Sequence, residues 1–428
     1  MGALALAAAS LTACARGADE PKVIRVPADA PTLTAAAERV SPGDVILVAP
    51  GRYTESVTIA TPDVTLRGED RGTVVIDGEG LRANGVQVIA DGVRVQNLTV
   101  VDHTFNGVLV TGMHDANGPH AHNLSGYETL DPEAFPPLER FEISHVTAAG
   151  NGLYGLYAFN ARHGAIRDSY ASGSADSGIY VGQCEQCDVV VEGNVAERNA
   201  IGYENANASD SVLVVGNRFS RNRVGMTLLT WYQEAFVPQR GITVAGNLIS
   251  ENAEATSPAH AEGAFGTGVG LAGAQDNVLE RNRITANPRA GVLVANTEDV
   301  ASVGTVLRGN VMDGNGIDVA DVSAPRSPSS GTCFEDAPAV RTLPAELAEA
   351  RCPGGSLPGA SVDPALLPSL EVPEGMSFRD VPRPGPLPGW PGVLDELPAP
   401  LPTSPARPAV ADVPVPPADF LADLAASR

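Results

Sequence analysis

Two asparagines five positions apart bracket a single inward apolar residue, and the arrangement recurs along much of this chain. It appears as "GNVAERN" (Gly193 to Asn199), "GNRFSRN" (Gly216 to Asn222), "GNLISEN" (Gly246 to Asn252), "RNRITAN" (Arg281 to Asn287) and "GNVMDGN" (Gly309 to Asn315). Asn194 and Asn217 are 23 residues apart, and the same step relates "ISHVTAAG" to "IRDSYASG" earlier in the chain. Insertions such as "TWYQEAFVPQ" and "AEATSPAHAEGAF" lengthen the later steps. A repeat this short has too little apolar surface to form its own core, so successive units must stack on one another.

Each unit reads as three short strands with turns between them. One begins with glycine and alternates apolar residues ("NGVLV", "YGLYA", "SGIYV", "TGVGL", "AGVLV"). A second precedes the asparagine pair ("CDVVVEG", "DSVLVVG", "RGITVAG"), and the third lies between the asparagines. Period-2 alternation within each strand puts one face in and one face out. Three strands per turn, stacked at about 4.8 Å per coil, define an all-β, single-stranded solenoid, a parallel β-helix. About ten coils are expected. Asn194, Asn217, Asn247, Asn282 and Asn310 are expected at the bend between the second and third strands, where an amide tolerates left-handed backbone and stacks amide to amide. Ala196, Phe219, Ile249, Ile284 and Met312 should then point into the core.

This pattern resembles the right-handed parallel β-helix proteins of the pectin-lyase-like superfamily over residues 23–322. "PTLTAAAERVSPGDVILVAPGRYTESVTI" is similar to the N-terminal cap of such proteins, implying a short helix from about Leu33 to Val40 over the first coil. The middle, "YASGSADSGIYVGQCEQCDVVV", looks like a group of exported bacterial β-helix proteins. After about Ala324 the repeat stops. Most of the 35 prolines fall in this last part, in runs such as "PRPGPLPGWPG", which favour an extended path. Leu387, Trp390, Leu394 and Phe420 would let it lie along the rod. The expected division is an export signal at 1–14, a linker at 15–22, the β-helix at 23–322 and a Pro-rich region at 323–428.

The formal net charge of −23 argues against nucleic acid as a partner, because phosphates are bound by clustered Lys and Arg. It also disfavours a strongly polyanionic glycan. "MGALALAAASLTAC" has an apolar run, small residues and then a cysteine, and its "LTAC" resembles the lipobox of bacterial lipoproteins. That resemblance implies lipidation at Cys14, export to the cell surface or periplasm, and membrane attachment through the lipid alone. Four cysteines remain, and in an oxidising compartment nearest-neighbour pairing joins Cys184 to Cys187 and Cys333 to Cys352. "CEQC" also has the spacing of a redox motif or half a zinc site, but its place in a turn between strands favours a structural bridge.

Residues for chemistry are sought on the outer face of the glycine-led strand. The outward column runs Leu109, Tyr157, Tyr180, Glu204, Thr227, Gly270 and Leu293, and two residues ahead of the glycine stand Asp176, Ala200 and Arg223. Two aromatic rings, two carboxylates and an arginine thus converge within ~10 Å of axis. Trp231, Tyr232 and Glu234 follow as an overhanging wall. Rings stack on sugars, and paired carboxylates serve glycoside chemistry. Glu204 and Asp176 are therefore the catalytic candidates in a protein that binds, or also processes, a carbohydrate as a hydrolase, lyase or epimerase. A non-catalytic scaffold is the alternative. Polysaccharide lyases of the resembled superfamily use a calcium cluster, and no aspartate cluster here matches theirs, so no cofactor is assigned. His114, His120 and His122 could ligate Zn or Cu, as in β-helix proteins that mature the copper site of nitrous oxide reductase; a polar loop without metal is the preferred reading.

Overall fold

The computed structural model describes residues 20–425, except 117, 120–130, 260–263, 337–339, 354–361, 393 and 395. Cys14, His120 and His122 lie outside the described residues, as does the whole of the expected export signal. The chain winds as a right-handed parallel β-helix. Three sheets of 12, 10 and 11 strands form its faces, here called sheets 1, 2 and 3 in the order in which a coil visits them. One coil runs through Val189–Glu192, Val195–Glu197 and Ile201–Ser209, and the next through Leu213–Val215, Arg218–Ser220 and Val224–Leu229. The coils pair in parallel register: Val190 with Leu213, Ala196 with Phe219, Glu204 with Thr227. Alternation explains the core. Val189, Val191, Ala196, Tyr203, Phe219, Ile249 and Ile284 are buried in one continuous cluster inside the rod, with Met312 packed against it.

Two ladders of asparagine hold the corners on either side of sheet 2. Asn194 Nδ2 donates to Asn217 Oδ1 (2.9 Å), Asn217 to Asn247 (2.9 Å), Asn247 to Asn282 (3.0 Å) and Asn282 to Asn310 (2.9 Å). Asn199, Asn222, Asn252, Asn287 and Asn315 repeat this at the other corner. The left-handed residue, however, is not the asparagine. It is the residue before it: Gly193, Gly216, Gly246, Arg281 and Gly309 at one corner, Arg198, Arg221, Glu251, Ala286 and Gly314 at the other. The preceding residue makes the bend, which leaves each asparagine side chain free to lie flat along the axis. In an early coil Asn97 itself takes the left-handed place (φ 57°).

The helix over the first coil is Leu33–Ala37, three residues shorter than expected at its C-terminal end. Thr32 caps it, the Glu55 carboxylate accepts from Leu33 N and Thr34 N, and Leu33 and Ala36 close the core. At the other end the solenoid continues beyond residue 322. Sheet 1 gains Cys333–Glu335 and sheet 3 gains Thr342–Leu343, with Leu347 and Ala350 plugging the last coil. The Cys333–Cys352 bridge fastens this plug, and Cys184–Cys187 closes the turn between sheets 3 and 1.

The Pro-rich segment lies on the rod as a strap. It runs back toward the first coils, where Arg383 pairs with Asp102 and Trp390 sits on Asn97, His145 and Arg67. It then returns along sheet 1, covering Val190, Leu213, Val215 and Ala245 with Val410 and Val413. Arginines of the rod grip its backbone: Arg71 on Pro388 O, Arg94 on Ala399 O, Arg140 on Leu401 O, Arg281 on Val413 O and Arg283 on Pro416 O. Since proline carries no N–H, carbonyls are the main-chain groups such a segment reliably offers.

His103 is fully buried near the first coils, and burial drives its pKa down to about 4. A histidine held neutral by the fold stabilises it fully above the ordinary value of 6.5 and loses that contribution as pH falls toward 4. The loss is at most about 3 kcal/mol. Denaturant titrations at pH 7 and pH 4 should show a smaller acid-side loss for His103→Gln than for the natural protein; equal losses would mean that His103 is not the group responsible.

Candidate functional site

The outer column of sheet 3 has the register Leu109, Tyr157, Tyr180, Glu204, Thr227, Gly270, Leu293. Its first half is not a solvent face. Tyr157 and Tyr180 are each only 1% exposed. Tyr154 stacks on Tyr157 with centroids 4.1 Å apart, Tyr157 meets Tyr180 edge-on at 4.7 Å, and Ala235, Phe236 and Phe135 cover them. The expectation of two open rings for sugar stacking is therefore corrected. Period-2 alternation aims the rings out of the solenoid, but insertions from two other turns roof them, so that they stack on one another. From Thr227 onward the column is partly open, through Gly270 and Leu293.

Carboxylates gather where the roofed part gives way to the open part. Ser177 Oγ lies 2.5 Å from Glu204 Oε2 and 3.2 Å from Asp176 Oδ1. One hydroxyl proton cannot be donated to both oxygens. A protonated Glu204 donating to Ser177, which donates on to Asp176, satisfies the three groups together. Burial first, and then the neighbouring Asp176 carboxylate, hold the Glu204 pKa well above the usual carboxylate range, which agrees with that arrangement. Tyr180 donates to Glu234 Oε1 (2.7 Å), and burial followed by Asp176 pushes Glu234 up to about 8. Burial, reinforced by these carboxylates, also raises the pKa of Tyr154, Tyr157 and Tyr180. Two polar atoms beside the group, Glu234 Oε2 and Thr227 Oγ1, are buried with no hydrogen-bond partner among the described residues.

The insertion that carries Glu234 is held from below. Asn207 donates to Trp231 O and accepts from Trp231 N, and Gln183 Oε1 accepts from Ala235 N. Trp231 and Tyr232 stand on its outer side, 36% and 43% exposed, with the Tyr232 hydroxyl bonded to Asp299. Arg223 does not join the carboxylates. It is 3% exposed and donates to Ser257 and to strap carbonyls. Glu204, Asp176, Tyr157, Tyr180 and Glu234 thus come together, Trp231 and Tyr232 border them, and Arg223 is drawn aside. Reading the sequence missed Ser177 and Tyr154, which immediately precede Gly178 and Gly155. The available signal was a hydroxyl residue where the next coils place Ile201 and Val224. His114 is exposed, and among the described residues no group of His, Cys, Asp and Glu could hold a metal ion.

The sequence matches the family described as the right handed beta helix region over residues 74–237. No curated protein matches it significantly. Among solved structures it is similar to the A-module of a mannuronan C-5 epimerase from Azotobacter vinelandii, with 16% identity, 72% of this chain and 86% of that one covered, and a TM-score of 0.41. It is also similar to a pectate lyase (14%, 76% and 80%, TM-score 0.45) and to an alginate lyase from a Paenibacillus species (14%, 69% and 97%, TM-score 0.40).

Proposed function

We propose that this chain binds a glycan along the outer face of sheet 3 and acts on it by acid–base chemistry. Glu204 is the proton donor, Asp176 its partner across Ser177, and Glu234 a further carboxyl beside them. The observation that carries the reading is the Glu204–Ser177–Asp176 cluster, in which one hydroxyl lies between two carboxyl groups at the edge of an open floor. A carboxylic acid held protonated near neutral pH is what protonation of a glycosidic oxygen requires. Glu234 Oε2 and Thr227 Oγ1, buried without a partner among the described residues, are the atoms the proposal assigns to sugar hydroxyls. Trp231 and Tyr232 supply exposed aromatic surface at the rim, while Tyr157 and Tyr180 act from behind by excluding water from the carboxylates.

The test is a panel of neutral and acidic glycans offered to the purified protein, with binding and both reducing-end and unsaturated products measured. Binding with products supports the proposal. Binding without products favours a non-catalytic role, for which the burial of the tyrosine column is the supporting observation. No binding at all ends the reading.

Export is part of the same proposal, and the two disulfides fit an oxidising compartment. Cys14 would carry the lipid. The protein made in its natural host should then partition into detergent, and Cys14→Ser should move it to the aqueous phase. Aqueous partitioning of the unsubstituted protein would remove the anchor from the proposal.

A further inference from the structure

Arg223 stands two residues ahead of Gly225, in the row that includes Asp176 and one coil beyond Glu204. Its Nε donates to Ser257 Oγ (3.1 Å), and the guanidinium packs over Phe265 at 5.5 Å. One terminal nitrogen donates to both Pro373 O and Glu374 O, 3.0 Å from each. A buried guanidinium nitrogen that bonds two oxygens is also able to bond a carboxylate oxygen. Here backbone carbonyls of the strap fill that place. The strap is closely seated at this point, with one side chain turned to solvent. Val372 is 56% exposed, Met376 N donates to Ser257 O (3.1 Å), and Gly375 lies so close to the rod that a Cβ there would fall 2.2 Å from Ala259 N.

We propose that Pro373 and Glu374 of the strap occlude a carboxylate-binding subsite at Arg223, and that lifting the strap there opens the sheet 3 face to acidic glycans. This rests on the reading of sheet 3 as a glycan-binding face. With the strap seated the Arg223 guanidinium is covered, and a chain of net charge −23 repels a polyuronate. With the strap lifted, the Arg223 nitrogen that held both carbonyls can take a uronate carboxylate one coil beyond that of Glu204 and four residues back along the strand from the position opposite it. The strap therefore sets which charge class of glycan the face accepts.

Gly375→Val tests this directly, because the added side chain cannot fit against the Ala259 backbone and must raise the strap locally. A second form carries a protease site inserted between Leu370 and Glu371, cut after folding, so that the result does not depend on one substitution. Binding of polygalacturonate and of a neutral β-glucan is measured by calorimetry for the unaltered protein, both lifted forms, and each lifted form combined with Arg223→Gln. Both lifted forms should bind polygalacturonate at least tenfold tighter than the unaltered protein. Arg223→Gln should erase that gain while neutral-glycan affinity stays constant. A gain that survives Arg223→Gln overturns the proposal, as does the absence of a gain where the neutral glycan still binds. Failure of every form to bind any glycan overturns the sheet 3 reading itself, and this proposal with it.

Discussion

Glu204→Gln is expected to reduce turnover of the glycan at least 10²-fold while leaving its affinity nearly unchanged. Burial, and then the Asp176 carboxylate, favour the neutral form of the carboxyl it replaces. The amide keeps that size, that neutrality and a donor toward Ser177, so neither the fold nor the bound sugar should register a large change. What disappears is a proton that can be given away. A second readout needs no substrate. A carboxyl whose folded pKa is raised contributes stability that is fully present below its ordinary value of 4.5 and is lost as pH rises through the folded value. The variant has no such proton to lose. The two proteins should therefore be similarly stable near pH 4.5, with the variant gaining the advantage as pH climbs. Glu234, raised to about 8, loses its own contribution over a window ending there, and does so in both proteins. If Glu204→Gln destabilises the protein equally at all pH values, Glu204 is an ionised structural partner and cannot be the acid.

What the sequence discloses is what repeats. Asparagines 23 residues apart, with alternating apolar residues between them, impose coils because no other arrangement buries every one of those side chains. Cys184 and Cys187 share one turn, so their pairing is equally local. Contacts made once, over long separations, leave no such trace. Tyr157 and Tyr180 point outward by alternation, but residues near 135 and 235 cover them, and nothing in "YGLYA" or "SGIYV" signals a roof. The strap is similarly silent. Arg94 meets Ala399 O across 305 residues of chain and Arg71 meets Pro388 O across 317, and each arginine alone looks like surface charge. The final strands escape because Cys333–Glu335 pairs with Val306–Arg308 without an asparagine pair to mark the coil. Reading the bend onto the asparagine rather than the residue before it was an error of one position. Glycine precedes the asparagine at four of the five units quoted, which was the clue.

Asn217→Leu should cost about 3 kcal/mol or more, because it removes partners on both sides of a buried rung. Asn217 is fully buried. Its Oδ1 accepts from Asn194 N and Nδ2 (2.9 Å each), and its Nδ2 donates to Asn247 Oδ1 and Val191 O (2.9 Å each). Leucine has comparable bulk but no polar atoms. Asn194 Nδ2 would keep Ile166 O and Asn247 Oδ1 would keep the Asn217 backbone N–H. Asn194 N would lose the acceptor it has here, and Val191 O would lose this donor. At Asn310, the last rung of the ladder and 5% exposed, the same change should cost less, since water can take over part of the lost bonding. The position of Asn217 adds a second consequence. A solenoid unfolds as a row of coils coupled to their neighbours, so one weak interface in the middle can uncouple the two halves. The two tryptophans report on different stretches of the rod: Trp390 packs on Asn97 and His145 in early coils, and Trp231 ends the coil that contains Asn217, straddling the seam by donating to Asn207 in the coil before. Single Trp→Phe versions would isolate each signal in denaturant. The unaltered protein should give coincident curves, and Asn217→Leu should separate them. Coincident curves at an unchanged midpoint would show that the amide ladder does not couple the coils.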